Sequence, residues 1–564
     1  MDEFKKDIVR IVSGKADVSD SMLEVPPDPK MGDFALPCFT FAKEMKKSPA
    51  EIAKEIAENS KATEMIEKIT AAGPYVNFFL NKQKFAEKVL TEITKLKKDY
   101  GKSLAGKNLK VIVEFSSPNT NKPQHLGHVR NNLLGASISR ILEFASQKVY
   151  RVNAINDRGI HIAKSMVAYK KYGEGKEPDK KSDHFVGEFY VLFEKKAKED
   201  SSLLEEAYEM LRKWEEGDKE TLALWKKMNN WVYKGFEKTY SSLGIDFDKT
   251  YYESEVYKKG KKLVIELFEK GVFNKNQEGS IYADLEEFDL PEKVVLRADG
   301  TSVYSTYDLA LAQKKFEDFE MDSSVYVVAS EQDLYFRQMF AIFKKIGFSF
   351  ADRLFHRSYG MVNLPEGKMK SREGTVVDAD DIIQEMTSMA RAEVEKRYSD
   401  LTDVEIEKRA HAIGLAGLKF YMLKQDPVKD IEFNPKESIS FEGETGPYVQ
   451  YAFARISSIL RKYGKPIKED VNFGVINSEE EKQLIKTLSS FPDVSESASK
   501  NYDPSRIAHY LITLVQAFND FYHNCPVLTE NEEVKKTRLL ISYCTRHTIG
   551  NGLMLLGIET LEEM

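Results

Sequence analysis

Two histidines stand three residues apart in His125-Leu-Gly127-His128, and a second group, Lys368-Met369-Lys370-Ser371-Arg372, gathers cations far downstream. The setting of the first group suits phosphate. Leu109-Lys-Val-Ile-Val-Glu-Phe115 is β-branched and apolar, has Gly106 before it and Ser-Ser-Pro after it, and predicts a buried parallel strand. Residues 116–124 are rich in Ser, Pro and Asn and read as a loop. From His128 onward, Val129, Leu133, Leu134, Ile138, Ile141 and Leu142 share one broad helical face. The histidines therefore stand where a strand hands over to a helix N-terminus, whose unpaired N–H groups point outward and suit a phosphate. Three apart, they share a face of the first turn. Chemistry at a phosphate needs no covalent nucleophile; it needs positioned donors and cations around a charge-rich transition state. Read singly, each group has a bland alternative: capping histidines in one, a solvated basic loop in the other.

The elements that must position these residues follow from length and composition. At 564 residues the chain predicts about three or four domains. A hydrophobic content of 42% supports packed cores, and no apolar run reaches the ~18 residues of a membrane span. The start, Met-Asp-Glu-Phe-Lys-Lys, lacks the basic and apolar regions of a signal peptide, which predicts a cytoplasmic protein. Cys38, Cys525 and Cys544 are scattered, which predicts reduced thiols, no disulfide framework and no bound zinc. The net charge of −7 argues mildly against a nonspecific RNA binder and is neutral for a specific one, because a local basic face still binds phosphates.

Along the chain, residues 1–105 form a first unit, predicted α+β, with a helix at the start, a helix opened by Ser48-Pro49 and a strand over residues 74–80. Residues 106–385 predict a Rossmann-like α/β domain with a parallel sheet. Its second strand is Val149-Tyr-Arg-Val-Asn153, and Asn156-Asp-Arg-Gly159 marks another strand-to-helix turn. Residues 166–290 are charged and read as a helical insertion, with Trp214, Trp225 and Trp231 as packing residues. The sheet resumes at Val325-Tyr-Val-Val-Ala329, and residues 386–564 predict an all-α domain.

His125-Leu-Gly-His128 and Lys368-Met-Lys-Ser-Arg372, in this order, resemble the two ATP-binding signatures of class I aminoacyl-tRNA synthetases. Longer strings narrow the family: Glu114-Phe-Ser-Ser-Pro-Asn119, Gly300-Thr-Ser-Val-Tyr304-Ser-Thr-Tyr-Asp308, Glu331-Gln332-Asp-Leu, Gly443-Glu-Thr-Gly-Pro-Tyr448-Val-Gln-Tyr451, Phe521-Tyr522-His-Asn-Cys-Pro and a final Met564. End to end, the chain resembles the arginyl-tRNA synthetases. The resemblance implies that arginine is activated by in-line attack of its carboxylate on the α-phosphate of ATP, with Mg²⁺ accompanying the nucleotide, and is then transferred to its cognate tRNA. It implies that His125, Gly127 and His128 bind ATP and that residues 368–372 form the ATP loop. It also implies that Glu114 and Asp308 face the guanidinium with Tyr304 beside it, while Asn119 and Gln332 hold the α-amino end. The first unit would meet the tRNA elbow and the insertion would guide the acceptor end. In the C-terminal helices Tyr448 or Tyr451, Tyr522 and Met564 would touch the anticodon. A monomer is expected.

The residues themselves leave alternatives. A guanidinium suits two nearby acids, and Tyr304 and Asp308 share a face if a helical turn runs through them. Asp308 also reads as a helix N-cap, Glu114 as a salt-bridged strand end, Tyr304 as core, and Tyr522 as core or as a base-stacking platform. The second signature departs from the family pattern, because Ser371 stands where its second lysine belongs. Lys122, three residues before His125, is the expected substitute cation, against a reading as an exposed loop lysine; Lys370 is the other contender. Among class I enzymes, a cysteinyl synthetase would need zinc-binding cysteines, and the isoleucyl, leucyl and valyl enzymes need an editing insertion too large for the interval between His125 and Lys368. A non-catalytic tRNA-binding relative would be expected to have lost His125, His128 or Lys368.

Overall fold

The computed structural model describes residues 2–363, 377–398 and 400–564. The chain divides into two compact units: one of Met1–Tyr100, Arg455–Pro492 and Thr513–Asn551, the other of Gly101–Ala454, Asp493–Ile512 and Gly552–Met564.

The second unit is built on five strands, in the order Leu354–Tyr359, Ser323–Ala329, Lys110–Glu114, Lys148–Ile155, Lys249–Tyr252. Every pairing is parallel, with Glu114 beside Tyr326 on one side and Val152 on the other. Val111, Ile112 and Val113 are fully buried, as a central strand covered on both faces requires. Lys110–Glu114 is first in the chain, and the next strands extend the sheet from one of its sides while the last two lie on the other. The order reverses there, so the crevice past the C-terminal ends of Lys110–Glu114 and Ser323–Ala329 is where a doubly wound sheet binds its ligand. The helix Leu126–Phe144 starts at that crevice and is buried on nearly all sides.

The stretch 166–290 is only partly the helical insertion that its charge suggests. Ser182–Glu199, Ser202–Glu216 and Lys219–Leu243 are helices, the last capped by Asp218. Lys249–Tyr252, however, joins the main sheet as its edge strand, followed by the helix Glu253–Glu269. Asn274–Lys275, Ile281–Ala283 and Lys293–Leu296 then form a small antiparallel sheet. A four-residue edge strand is too short to show a period. Trp214 and Trp231 are buried, and Trp214 packs edge-on against Trp225 at 5.5 Å. The C-terminal helical region also supplies a two-residue strand, Ile431–Glu432, parallel to Val362–Asn363.

The first unit holds a three-stranded antiparallel sheet in the order Phe34–Pro37, Tyr75–Leu80, Ile66–Ala72. The helices Asp2–Val12 and Pro49–Asn59 pack on it through Phe4, Ile8, Ile52 and Ile56, and Ser48 caps the second. Within the same unit Tyr100 donates to the Leu488 carbonyl at 2.9 Å, and the Asn551 amide to the carbonyls of Lys97 and Tyr100 at 2.8 and 3.0 Å. Cys38, Cys525 and Cys544 are free and buried. Among the described residues no helix is long and apolar enough to cross a membrane.

Candidate active site

The strand Lys110–Glu114 ends in two consecutive left-handed residues, Ser116 and Ser117, with φ of 74° and 45°. Non-glycine residues hold this conformation only where the surroundings fix it. The Ser116 N–H donates to Asn131 Oδ1 at 2.5 Å and the Ser117 N–H to Asn153 Oδ1 at 3.1 Å. The turn throws residues 118–124 across the sheet end, where Thr120 N–H donates to the Asn156 carbonyl at 3.1 Å. Asn119 thereby pairs with Asn156.

His125 is the N-cap of the helix Leu126–Phe144. Its Nδ1 accepts from the Gly127 N–H at 3.1 Å, and His128 Nδ1 accepts from the His125 N–H at 3.2 Å. The rings stand 3.9 Å apart between centroids. A Cβ on Gly127 would lie 3.0 Å from the His125 ring, so glycine leaves that ring its place. Burial, and then the charge of Lys122, hold His125 down at about 3, and burial holds His128 well below the ordinary range. Both imidazoles are therefore neutral near pH 7. With each Nδ1 accepting, the proton sits on Nε2, a tautomer assigned from these hydrogen bonds. The pair offers a phosphate two N–H donors, not two cations.

Lys122 is half-buried rather than an exposed loop lysine. Burial lowers its pKa, while the Asp378 carboxylate favours its charge. Residues 368–372 lie outside the described residues, but both flanks of that stretch are anchored. Upstream, Arg130, fully buried on the His125 helix, donates to the carbonyls of Gly360 and Pro427. Downstream, Leu126 N–H donates to the Val377 carbonyl at 3.1 Å and Ala379 N–H to the Gln124 carbonyl at 2.8 Å.

The other end of the crevice is acidic. Asp308 is the fifth residue of the helix Tyr304–Phe319, whose N-cap is Val303, so it caps nothing. Its Oδ2 accepts from the Tyr335 hydroxyl. Burial, with nearby Glu114, raises its carboxyl to about 7 against the pull of Tyr335, Lys315 and Lys293. Tyr304 is 63% exposed, not core. Partial desolvation of its hydroxyl end still raises that group's pKa, and the Glu253 and Asp308 charges raise it further. Glu114 is indeed salt-bridged at its strand end: Oε2 accepts from fully buried Lys315 at 2.5 Å. Gln332 is exposed at the end of the turn Ser330–Gln332.

One acid of this pocket escaped the sequence reading. Glu253 follows the edge strand Lys249–Tyr252, and burial, with Asp157 and Asp308 nearby, raises it to about 7. Arg158 holds its Oε1 at 3.3 Å. The usable signal was its place, at the C-terminal end of a parallel strand, hidden by the assignment of 166–290 to helices. Asp157 accepts from Ser254 N–H and Oγ and from the Tyr233 hydroxyl, which ties the second strand-to-helix turn to the same rim. For metals, the described residues offer one three-ligand group, Asp183, His184 and Asp380. The Lys181 ammonium already donates to Asp183 and Asp380 at 2.8 and 2.7 Å.

The anticodon candidates fall in different units: Tyr448, Tyr451 and Met564 in the second, Tyr522 in the first. Tyr448 and Tyr451 lie on the helix Gly446–Tyr463 and are partly buried. Tyr522 is 41% exposed and stacks on buried Phe518 at 6.0 Å, with the Arg455 guanidinium 5.4 Å from its ring.

The family profile "tRNA synthetases class I (R), catalytic domain" matches residues 89–435, more than half of the chain. Residues 2–80 match "Arginyl tRNA synthetase N terminal domain" and 449–564 "DALR anticodon binding domain". The chain belongs to the arginyl-tRNA synthetase family. It is 47% identical to an arginine–tRNA ligase of Treponema denticola, over 96% of this chain and 94% of that one. A Parabacteroides distasonis arginine–tRNA ligase is 44% identical over 97% of each. Among solved structures, the Thermus thermophilus arginyl-tRNA synthetase superposes with a TM-score of 0.85 at 28% identity, covering 100% of this chain and 99% of that one.

Proposed function

We propose that the protein activates L-arginine with ATP and transfers it to the terminal adenosine of its cognate tRNA. The observation that carries this reading is the crevice itself: two neutral imidazole donors at a helix N-terminus share a sheet end with Asp308 and Glu253, two acids raised to about 7, the second of them beside Arg158.

In the first step an arginine carboxylate oxygen attacks the α-phosphorus of ATP, bound as its magnesium complex. The bond to the β-phosphate oxygen breaks, and pyrophosphate leaves. His125 and His128 donate through Nε2 to the phosphates, Gly127 lets the nucleotide approach the backbone, and Lys122 supplies the cation that Ser371 cannot; Lys368, Met369, Lys370 and Arg372 complete the nucleotide end. These groups act by position and charge on a transition state richer in negative charge than the reactants. Asp308, Glu253 and Tyr304 receive the guanidinium, Glu114 offers the carboxylate oxygen not held by Lys315, and Asn119 and Gln332 hold the α-amino group. In the second step a ribose hydroxyl of the tRNA end attacks the arginyl carbonyl and AMP leaves.

The tRNA would be met at its elbow by residues 1–105, at its acceptor end by the helices within 166–290, and at its anticodon by residues 386–564, with Tyr448 or Tyr451, Tyr522 and Met564 as contacts. The protein would work as a monomer in the cytoplasm, where its three thiols stay reduced.

The test is arginine-dependent ATP–pyrophosphate exchange in the presence of cognate tRNA, with citrulline as the competitor. Citrulline presents a neutral urea to two acids, and sites built for a specific polar group reject an analogue lacking it by roughly 10⁴–10⁵. Equal use of the two amino acids overturns the assignment. Tight tRNA binding with no exchange would mark a non-catalytic relative.

A further inference from the structure

The helix Asp333–Lys345 starts directly after Gln332, its N-cap, and its first turn reaches the acidic end of the site through Tyr335, whose hydroxyl donates to Asp308 Oδ2. Among the described residues no other group donates to that carboxylate. The tyrosine has little freedom. Gln338, on the same helix, donates to the carbonyls of Pro291 and Glu292 at 3.0 and 3.3 Å. Phe336 stacks on His356 at 4.3 Å and packs on Tyr326 at 5.3 Å. Lys293 Nζ stands 4.7 Å from the centre of the Tyr335 ring. The helix Tyr304–Phe319, which carries Asp308, is fixed in turn by Lys315, fully buried and bonded to Glu114 at 2.5 Å. The hydroxyl therefore joins two anchored helices at one carboxylate. An O–H bond of this kind fixes the oxygen that accepts it and favours the charged form of the acid.

We propose that Tyr335 is a positioning residue for arginine binding: its hydroxyl pins Asp308 Oδ2, leaves Oδ1 for the guanidinium, and eases the loss of the Asp308 proton when arginine arrives. This deepens the function proposed above and rests on the reading of Asp308 as an acceptor of the guanidinium. Tyr335 acts through Asp308. The acids and cations that face Asp308 are Glu114, Glu253, Lys315 and Lys293. The phenols of Tyr304, Tyr307 and Tyr326 also lie near it; desolvation raises each of them, so they keep their protons below pH 9. Of these neighbours only Tyr335 bonds to the carboxylate. A hydrogen bond to a charged group is worth roughly ten- to a hundredfold in an equilibrium, and that is the scale on which the hydroxyl acts.

The experiment uses full-length protein with cognate tRNA present. Tyr335→Phe removes one oxygen and keeps the ring and its packing. Arginine affinity is measured by calorimetry, and as the KM in exchange, at pH 6 and pH 9. At pH 6, where Asp308 must give up its proton to bind, Tyr335→Phe should weaken arginine roughly ten- to a hundredfold. At pH 9, where that carboxyl is charged in both proteins, the loss should be several-fold smaller. The kcat at saturating arginine should change far less than the KM. In an Asp308→Asn background, which has no proton to lose, the pH dependence of the Tyr335→Phe loss should vanish. A second readout needs no activity: at pH 7, calorimetry in buffers of different ionisation heat should show more protons released per arginine bound by Tyr335→Phe than by the wild type. Unchanged arginine affinity overturns the proposal. So does a loss that is equal at both pH values, or one that keeps its pH dependence in the double variant. If the wild type binds arginine but shows no exchange, the proposed function fails, and the calorimetric comparison still decides the role of Tyr335. A wild type that binds no arginine overturns both.

Discussion

Asp308 keeps its proton to about pH 7 because desolvation and nearby Glu114 outweigh the pull of Tyr335, Lys315 and Lys293, and a closer cation would tip that balance. Arginine supplies that cation, and binding it drives the proton off. The sign follows: a group with a raised pKa is charged only above it, so arginine is held better at pH 8 than at pH 6. For one carboxyl near 7 the change in apparent arginine affinity over that range is on the order of tenfold, measurable as the KM for arginine in exchange. His125, held at about 3, and His128, held lower, stay neutral throughout and add nothing to this profile. Removing one partner of a buried charge pair costs about 2–5 kcal/mol, so Asp308→Ala should raise the KM for arginine by one to several orders of magnitude while ATP binding survives. An unchanged KM would return Asp308 to a structural role. At this scale a residue's type narrows its use, as with Asp308 and Glu114, two acids that the fold places close to one another. It was silent where burial decides. Tyr304 reads as core but is exposed, and Glu253 is one of 90 acids until the fold brings it to the rim.

At the scale of elements, the helix Ser182–Glu199 meets the Lys122 loop at a position where only glycine fits. Gly187→Ala forces a methyl into Pro123, and overpacking of this kind costs about 1–3 kcal/mol. The variant should lower the denaturation midpoint and slow exchange at saturating arginine, since the displaced residues carry Lys122. Loss of stability with normal turnover would show that the contact is only structural. The strand Lys110–Glu114 and the helix after it were legible because each carries a full hydrophobic period with clear punctuation. Lys249–Tyr252 was not, because four residues inside a charged, helix-rich stretch acquire a strand's identity only from the neighbour they pair with. The pairing of the 377–379 segment with residues 124–126 was equally hidden, since it joins residues some 250 positions apart. Nothing local marks such a contact.

For the whole molecule, the family resemblance implies that activation waits for tRNA. With Asp308 and Glu253 both near 7, the site is not fully charged for its amino acid at neutral pH. Bound tRNA would shift the population toward the competent arrangement. Exchange should be absent with ATP and arginine alone and appear on adding cognate tRNA; robust exchange without tRNA refutes the expectation. The net charge of −7 means that phosphate contacts must come from local basic surfaces rather than from the global field.

The imidazoles of His125 and His128 also finish the helix they stand on, each with its inner nitrogen bonded to the backbone of the first turn. Their outward donors are oriented when that turn forms, before any ligand arrives. The same bonds thus serve both shape and reactivity, and warmth loosens them together. Helix ends fray before helices melt. The enzyme should therefore fall silent on heating while most of its secondary structure is intact, and recover on cooling as the first turn rewinds.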